Sequence, residues 1–177
     1  PGSARLLVGR PEDPASGGRA FLYRTLRIAT DWEIETTMHL PQGRSDKRHV
    51  GLGIVAHVPD AALPDANLSL DNLLLFGPLT DTAGGYPDGL GLRSTLSGQT
   101  TITAVDGVVS DTYLLRIRKV GTTFTASWRP DTGSPWTVLA TVVHPGLNRA
   151  HVGLLGFSEA GPPDDVSAAD FDVFLFS

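Results

Sequence analysis

The sequence holds 177 residues, 41% apolar and 19% charged, with 20 glycines and 13 prolines, which is enough chain for one substantial core and too rich in turn formers for a helical bundle. A formal net charge of −5 excludes a general nucleic-acid surface, which needs a basic field to gather phosphates. The absence of cysteine excludes a disulfide framework and thiolate metal sites, and no apolar run approaches the length of a membrane span.

Taken in chain order, residues 1–19 read as an irregular N-terminal segment of a single domain covering 1–177. Strand-like runs follow over 20–28, 32–40, 50–58, 73–76 and 100–105, and residues 59–72 and 78–98 read as long irregular connections. The basic run Arg44 to His49 reads as a solvated loop between two of these strands. The next two runs form a hairpin. Tyr113, Leu115 and Ile117 fall on one face of an extended chain, with Leu114, Arg116 and Arg118 on the other. After a turn at Lys119-Val120-Gly121-Thr122 the alternation resumes, with Phe124, Ala126 and Trp128 opposed to Thr125, Ser127 and Arg129. Strands over 137–143, 151–157 and 171–176 complete the series, and no helical period competes with them. Short alternating strands must each bury one face against another layer, so the expected fold is all-β: an antiparallel two-sheet sandwich.

The hairpin has a scaffold face and a candidate site face. On the polar face Arg116 and Arg118 offer guanidinium forks held in register by a strand, suited to vicinal sugar hydroxyls or a uronate carboxylate. Tyr86, Asp88 and Arg93 from the long connection are candidates to close over them, with Glu35 and His57 as further hydroxyl partners. The same arginines suit plain ion pairs with Glu33 and Glu35 across the sheet. Trp128 is in phase with Phe124 and Ala126 and belongs to the core. Asp131-Thr132-Gly133-Ser134-Pro135-Trp136 has the residue types of a tight turn, in which the aspartate accepts backbone amides and the tryptophan packs over the hairpin.

Other chemistries lack their residues. Asp65 to Asp71 alternates oxygen ligands, but an EF-hand's sixth and twelfth positions are Leu70 and Phe76 here. His39, His49, His57, His144 and His151 form no zinc spacing, Gly17-Gly18 and Gly84-Gly85 precede no helix, and no serine nucleophile elbow occurs.

Several segments in order, Asp31 to Thr36, His49 to Val55, Tyr113 to Arg118, Gly121 to Ala126, Asp131 to Trp136, Val152 to Leu154 and Ala169 to Phe174, resemble the concanavalin A-like lectin/glucanase jelly-roll modules that accompany bacterial glycoside hydrolases. The resemblance spans roughly residues 20–177 and implies a jelly roll that serves as a sugar-binding domain, a structural appendage or a glycosidase. Glucanases of this superfamily carry acids at alternating positions of one strand and a third acid beyond them. Glu33 and Glu35 match the first two, and retaining hydrolysis needs such a pair about 5 Å apart, but the third position is Met38. Many jelly-roll relatives also hold a structural calcium ion partly through an aspartate on the last strand, where this chain has Asp170 and Asp172. The resemblance therefore implies a non-catalytic carbohydrate-binding or accessory module of a polysaccharide-degrading system. Its expected partners are a polysaccharide or oligosaccharide and a linked catalytic domain, with no nucleic acid and no membrane. A glycoside hydrolase using Glu33 and Glu35, or a purely structural protein-interaction module, is the alternative. The chain begins Pro1-Gly2-Ser3 with no methionine and no visible signal peptide, so an excised module of an extracellular protein is expected.

Overall fold

Alternation in the sequence becomes alternation in burial. In β3 (Trp32–His39) every second residue from Trp32 to Met38 is buried, and the residues between are half-exposed. In β8 (Thr112–Val120) Tyr113, Leu115 and Ile117 are each at most 1% exposed, while on the other face Arg116 and Arg118 reach solvent and Leu114, at 8% exposed, does not alternate. The computed structural model describes residues 4–8, 19–26, 31–40, 48–56, 71–79, 89–108, 110–148, 150–158 and 167–176.

The remaining strands are β1 (Ala4–Val8), β2 (Arg19–Leu26), β4 (Arg48–Ala56), β5 (Asn72–Leu79), β6 (Gly89–Leu96), β7 (Gln99–Asp106), β9 (Thr123–Arg129), β10 (Thr137–Val143), β11 (Ala150–Ser158) and β12 (Ser167–Phe176). They form two six-stranded sheets, in the orders β1-β12-β3-β8-β9-β10 and β2-β11-β4-β5-β6-β7. Every pairing in both sheets is antiparallel. The described residues contain no α-helix, only the 3-10 turn Pro145–Leu147.

The sheets are layered on one shared core, as expected of an all-β sandwich. Trp32, Ile34, Met38, Leu115 and Phe124 of the first sheet cluster with Leu52, Ile54, Phe76, Leu92 and Leu154 of the second. Burying a side chain of this size contributes about 1.5–3 kcal/mol. Trp128 packs against this cluster from the end of β9, as its phase requires. His144 adds a polar tie between the layers. It is 0% exposed, and its Nε2–H donates to the Thr95 carbonyl at 2.7 Å.

Two segments depart from the expected irregularity. Residues 4–8 form β1, and residues 89–96 form β6, which joins β7 through a two-residue hairpin. Ser97 and Gly98 both take positive φ, 51° and 79°, as a type I′ turn demands. The Asn72 side-chain carbonyl accepts the Ser97 amide at 3.1 Å and the Asp71 carbonyl accepts the Gly98 amide at 2.9 Å. In the β8–β9 hairpin the loop is Gly121-Thr122, between the paired Val120 and Thr123. Gly121 has a φ of 59°, the first central position of a type II′ turn. The Asp31 carboxylate accepts its amide at 2.8 Å, pinning the hairpin to the start of β3.

Candidate functional site

The register of β3, β8 and β9 turns isolated outward residues into rows across the first sheet. One row is Glu33, Arg118 and Thr125; the next is Glu35, Arg116 and Ser127; the third is Thr37, Leu114 and Arg129. Directly opposed residues in such rows are within side-chain reach. Arg116 Nη1 lies 3.8 Å from Glu33 Oε1 and 3.9 Å from Glu35 Oε1, with all three side chains between 24% and 29% exposed. Half-exposed pairs at these distances contribute about 0–1 kcal/mol to stability. Their effect is also positional, since one guanidinium draws two carboxylates toward it.

The loop from β9 to β10 supplies the wall. Asp131 Oδ1 accepts the amides of Gly133 and Ser134, each at 2.8 Å, and its Oδ2 accepts the Ser134 hydroxyl at 3.0 Å. The Ser134 hydroxyl first, and then the Gly133 amide, hold the Asp131 carboxyl below its ordinary value by favouring the charged form. The turn has the construction expected from its residue types, and it delivers Trp136 to the sheet. The guanidinium carbons of Arg116 and Arg129 each lie 4.3 Å from the centre of the Trp136 ring, within cation–π range. Arg129 Nη1 also donates to the Thr132 carbonyl at 3.1 Å. Between these groups lies an open depression of about 180 Å³, lined by Glu35, Thr36, Thr37, Leu114, Arg129, Thr132 and Trp136.

The expected site residues are placed unevenly. Arg116 and Glu35 meet, and Arg118 stands exposed one row along, opposite Glu33. Arg93, expected on a loop closing over Arg116, is instead a strand residue of β6 in the second sheet, in register with Leu75 and Ile102. It belongs to the face turned away from the shared core, on the other side of the sandwich from Arg116. His57, Tyr86 and Asp88 lie outside the described residues. Asp170 pairs in register with Arg5 and His39, and Asp172 falls at a β-bulge between Phe171 and Val173; their side chains lie outside the described residues. Among the described residues no group of three or more His, Cys, Asp or Glu side chains is arranged to hold a metal ion. Met38, at the position of the third glucanase acid, is 0% exposed in the core. The sequence reading did not single out Thr37, Leu114, Arg129 or Thr132, although three of them are in outward phase.

No family model matches the chain, and no curated protein matches it. Solved structures do match. A functionally unknown protein from Saccharomyces cerevisiae aligns with 99% of this chain and 88% of its own, at 13% identity and a TM-score of 0.67. The xylan β-1,4-xylosidase from Bacillus halodurans aligns with 99% of this chain at 16% identity and a TM-score of 0.72, but over only 32% of the enzyme. A glycoside hydrolase family protein from Mycobacterium thermorestibile aligns with 99% of this chain and 76% of its own, at 9% identity and a TM-score of 0.61. What these proteins share with this chain is the fold. The chain spans about a third of the xylosidase's length.

Proposed function

We infer that this chain is a non-catalytic carbohydrate-binding or accessory module of a polysaccharide-degrading system, built as a concanavalin A-like jelly roll. The observation that carries this reading is the asymmetry of the xylosidase match, 99% of this chain against 32% of the enzyme. A unit of this size and shape is one part of the xylosidase it aligns with. Fold alone does not assign chemistry, so the polar face of the first sheet carries the remaining weight. Its mixture of guanidinium, carboxylate, hydroxyl and apolar groups around one depression suits sugar hydroxyls and C–H faces.

The same face argues against hydrolysis by Glu33 and Glu35. Arg116 Nη1 sits within 4 Å of both carboxylates, so the two acids are engaged with a guanidinium of their own sheet. The third acid is replaced by the buried Met38.

Depletion of the protein from solution by xylan and by other plant, fungal and bacterial polysaccharides, with and without a chelator, tests this reading. Retention on one class, with no release of reducing ends, is the expected result. Loss of retention on chelation would bring in calcium at Asp170 and Asp172, while retention unchanged by chelation removes that ion from the account. Turnover that disappears in Glu33→Gln or Glu35→Gln would overturn the non-catalytic assignment, and no retention on any polysaccharide would leave a structural appendage.

A further inference from the structure

We propose that the depression over Thr37, Leu114 and Arg129 is a subsite for a single neutral sugar residue, gripped by its hydroxyls at the ring edge and not stacked on an aromatic face. The proposal rests on the carbohydrate-binding reading above and adds where the sugar sits and which sugars fit.

Size sets the first limit. The depression is open to solvent and small, about 180 Å³, below the roughly 300–1,000 Å³ of an ordinary small-molecule pocket, so it suits one ring of a sugar chain that continues over the surface. The sheet sets the span. Thr37 and Arg129 are the outer members of a three-strand row with Leu114 between them, which places their backbones roughly 10 Å apart, wide enough for a ring and a hydroxyl at each side.

The lining sets the chemistry. Leu114 offers an apolar floor, Thr37 and Thr132 carry hydroxyls, Glu35 is an acceptor and Arg129 a donor. Trp136 would ordinarily be the stacking platform for a sugar. Here its ring already carries the guanidiniums of Arg116 and Arg129, each at 4.3 Å, so it acts as the rigid wall that aims Arg129. The Thr132 carbonyl accepts a hydrogen bond from the same guanidinium, and Arg116 Nη1 stands 3.9 Å from Glu35 Oε1, an ion pair that biases where Glu35 rests. Donor and acceptor are therefore positioned before a ligand arrives, which lowers the ordering cost of binding. One fixed anion and one fixed cation favour a neutral polyol that can donate to Glu35 and accept from Arg129. A uronate would meet Glu35 as a like charge.

Calorimetric titration of the whole chain with neutral xylo- and gluco-oligosaccharides and with glucuronate-bearing oligosaccharides, at low and high salt, tests the assignment. Neutral ligands should bind with little salt dependence. Thr37→Tyr, which fills the depression from its rim, should weaken binding about tenfold or more with the melting temperature unchanged. Should that variant fail to fold, Glu35→Gln preserves shape and should also weaken binding about tenfold by removing a charged acceptor. Sugar binding unaffected by either substitution overturns the subsite and leaves the carbohydrate-binding reading standing. Tighter, salt-sensitive binding of the glucuronate ligands overturns neutral selectivity, and no binding of any sugar by the unmodified chain defeats both readings.

Discussion

The two sheets turn very different outer faces away from their common core. On the first sheet the outward residues of β3 and β8 are Glu33, Glu35, Thr37, Leu114, Arg116 and Arg118, and most are at least partly exposed. On the second, Val55, Leu73, Leu75 and Leu155 form a separate cluster, each at most 3% exposed. The sequence records this difference in its periodicity. A strand wet on one side alternates, as Trp32 to His39 does, whereas a strand dry on both sides carries apolar residues in succession, as Leu73-Leu74-Leu75-Phe76 does. Among the described residues the wet face gathers guanidinium, carboxylate and hydroxyl groups around one depression.

The contrast can be broken most severely through the glycines of the dry face. A Cβ at Gly51 would stand 2.0 Å from the Phe76 carbonyl oxygen, which is backbone and cannot step aside. Gly51→Ala should therefore cost about 4 kcal/mol or abolish folding, read as a lower urea midpoint or loss of soluble protein. Leu75→Ala should cost about 3 kcal/mol by opening a cavity; a change below about 1 kcal/mol would mean that this face meets water after all. On the wet face Arg116→Ala should shift stability by less than about 1 kcal/mol, and the shift should shrink further in high salt. The smallest effect is expected at Asp131. Its folded carboxyl lies below the ordinary value, so the stabilisation is complete above the unfolded carboxylate range and is lost as pH falls through the folded value. Amide exchange at Gly133 and Ser134 should accelerate relative to the rest of the chain over that acidic window, and Asp131→Ala should show the faster exchange already at neutral pH.

The pattern of legibility follows from the same physics. The hairpin of β8 and β9 was readable because Tyr113 to Ile117 and Phe124 to Trp128 alternate cleanly and Gly121 marks the turn. β6 was not, because Gly89 and Gly91 supply no side chain to show a phase, and Arg93 was consequently assigned to a loop and to the wrong side of the molecule. β1 is too short, at five residues, for a period to declare itself. Of the candidate site, Arg116 with Glu33 and Glu35 could be found from phase alone. The row Thr37, Leu114 and Arg129 depends on strand order and register, which are long-range properties. Trp136 was read as a packing residue of its own hairpin, and its engagement of Arg116 depends on where the Asp131 turn delivers it.

The order of strands has a consequence for how the protein comes into being. β11 lies between β2 and β4, and β12 lies between β1 and β3, so the last two strands of the sandwich in chain order are interior, and each joins an early strand to the body of its sheet. A nascent chain that has emerged only as far as β10 can zip the β4–β7 and β8–β10 meanders, but β1 and β2 have nothing to pair with. Completion of both layers waits for β11 and β12 to leave the ribosome, and such distant pairings are slow to form. Closure of the sandwich is therefore expected only after β12 has emerged, with the early strands carried unpaired until then and in need of protection from one another and from neighbouring chains.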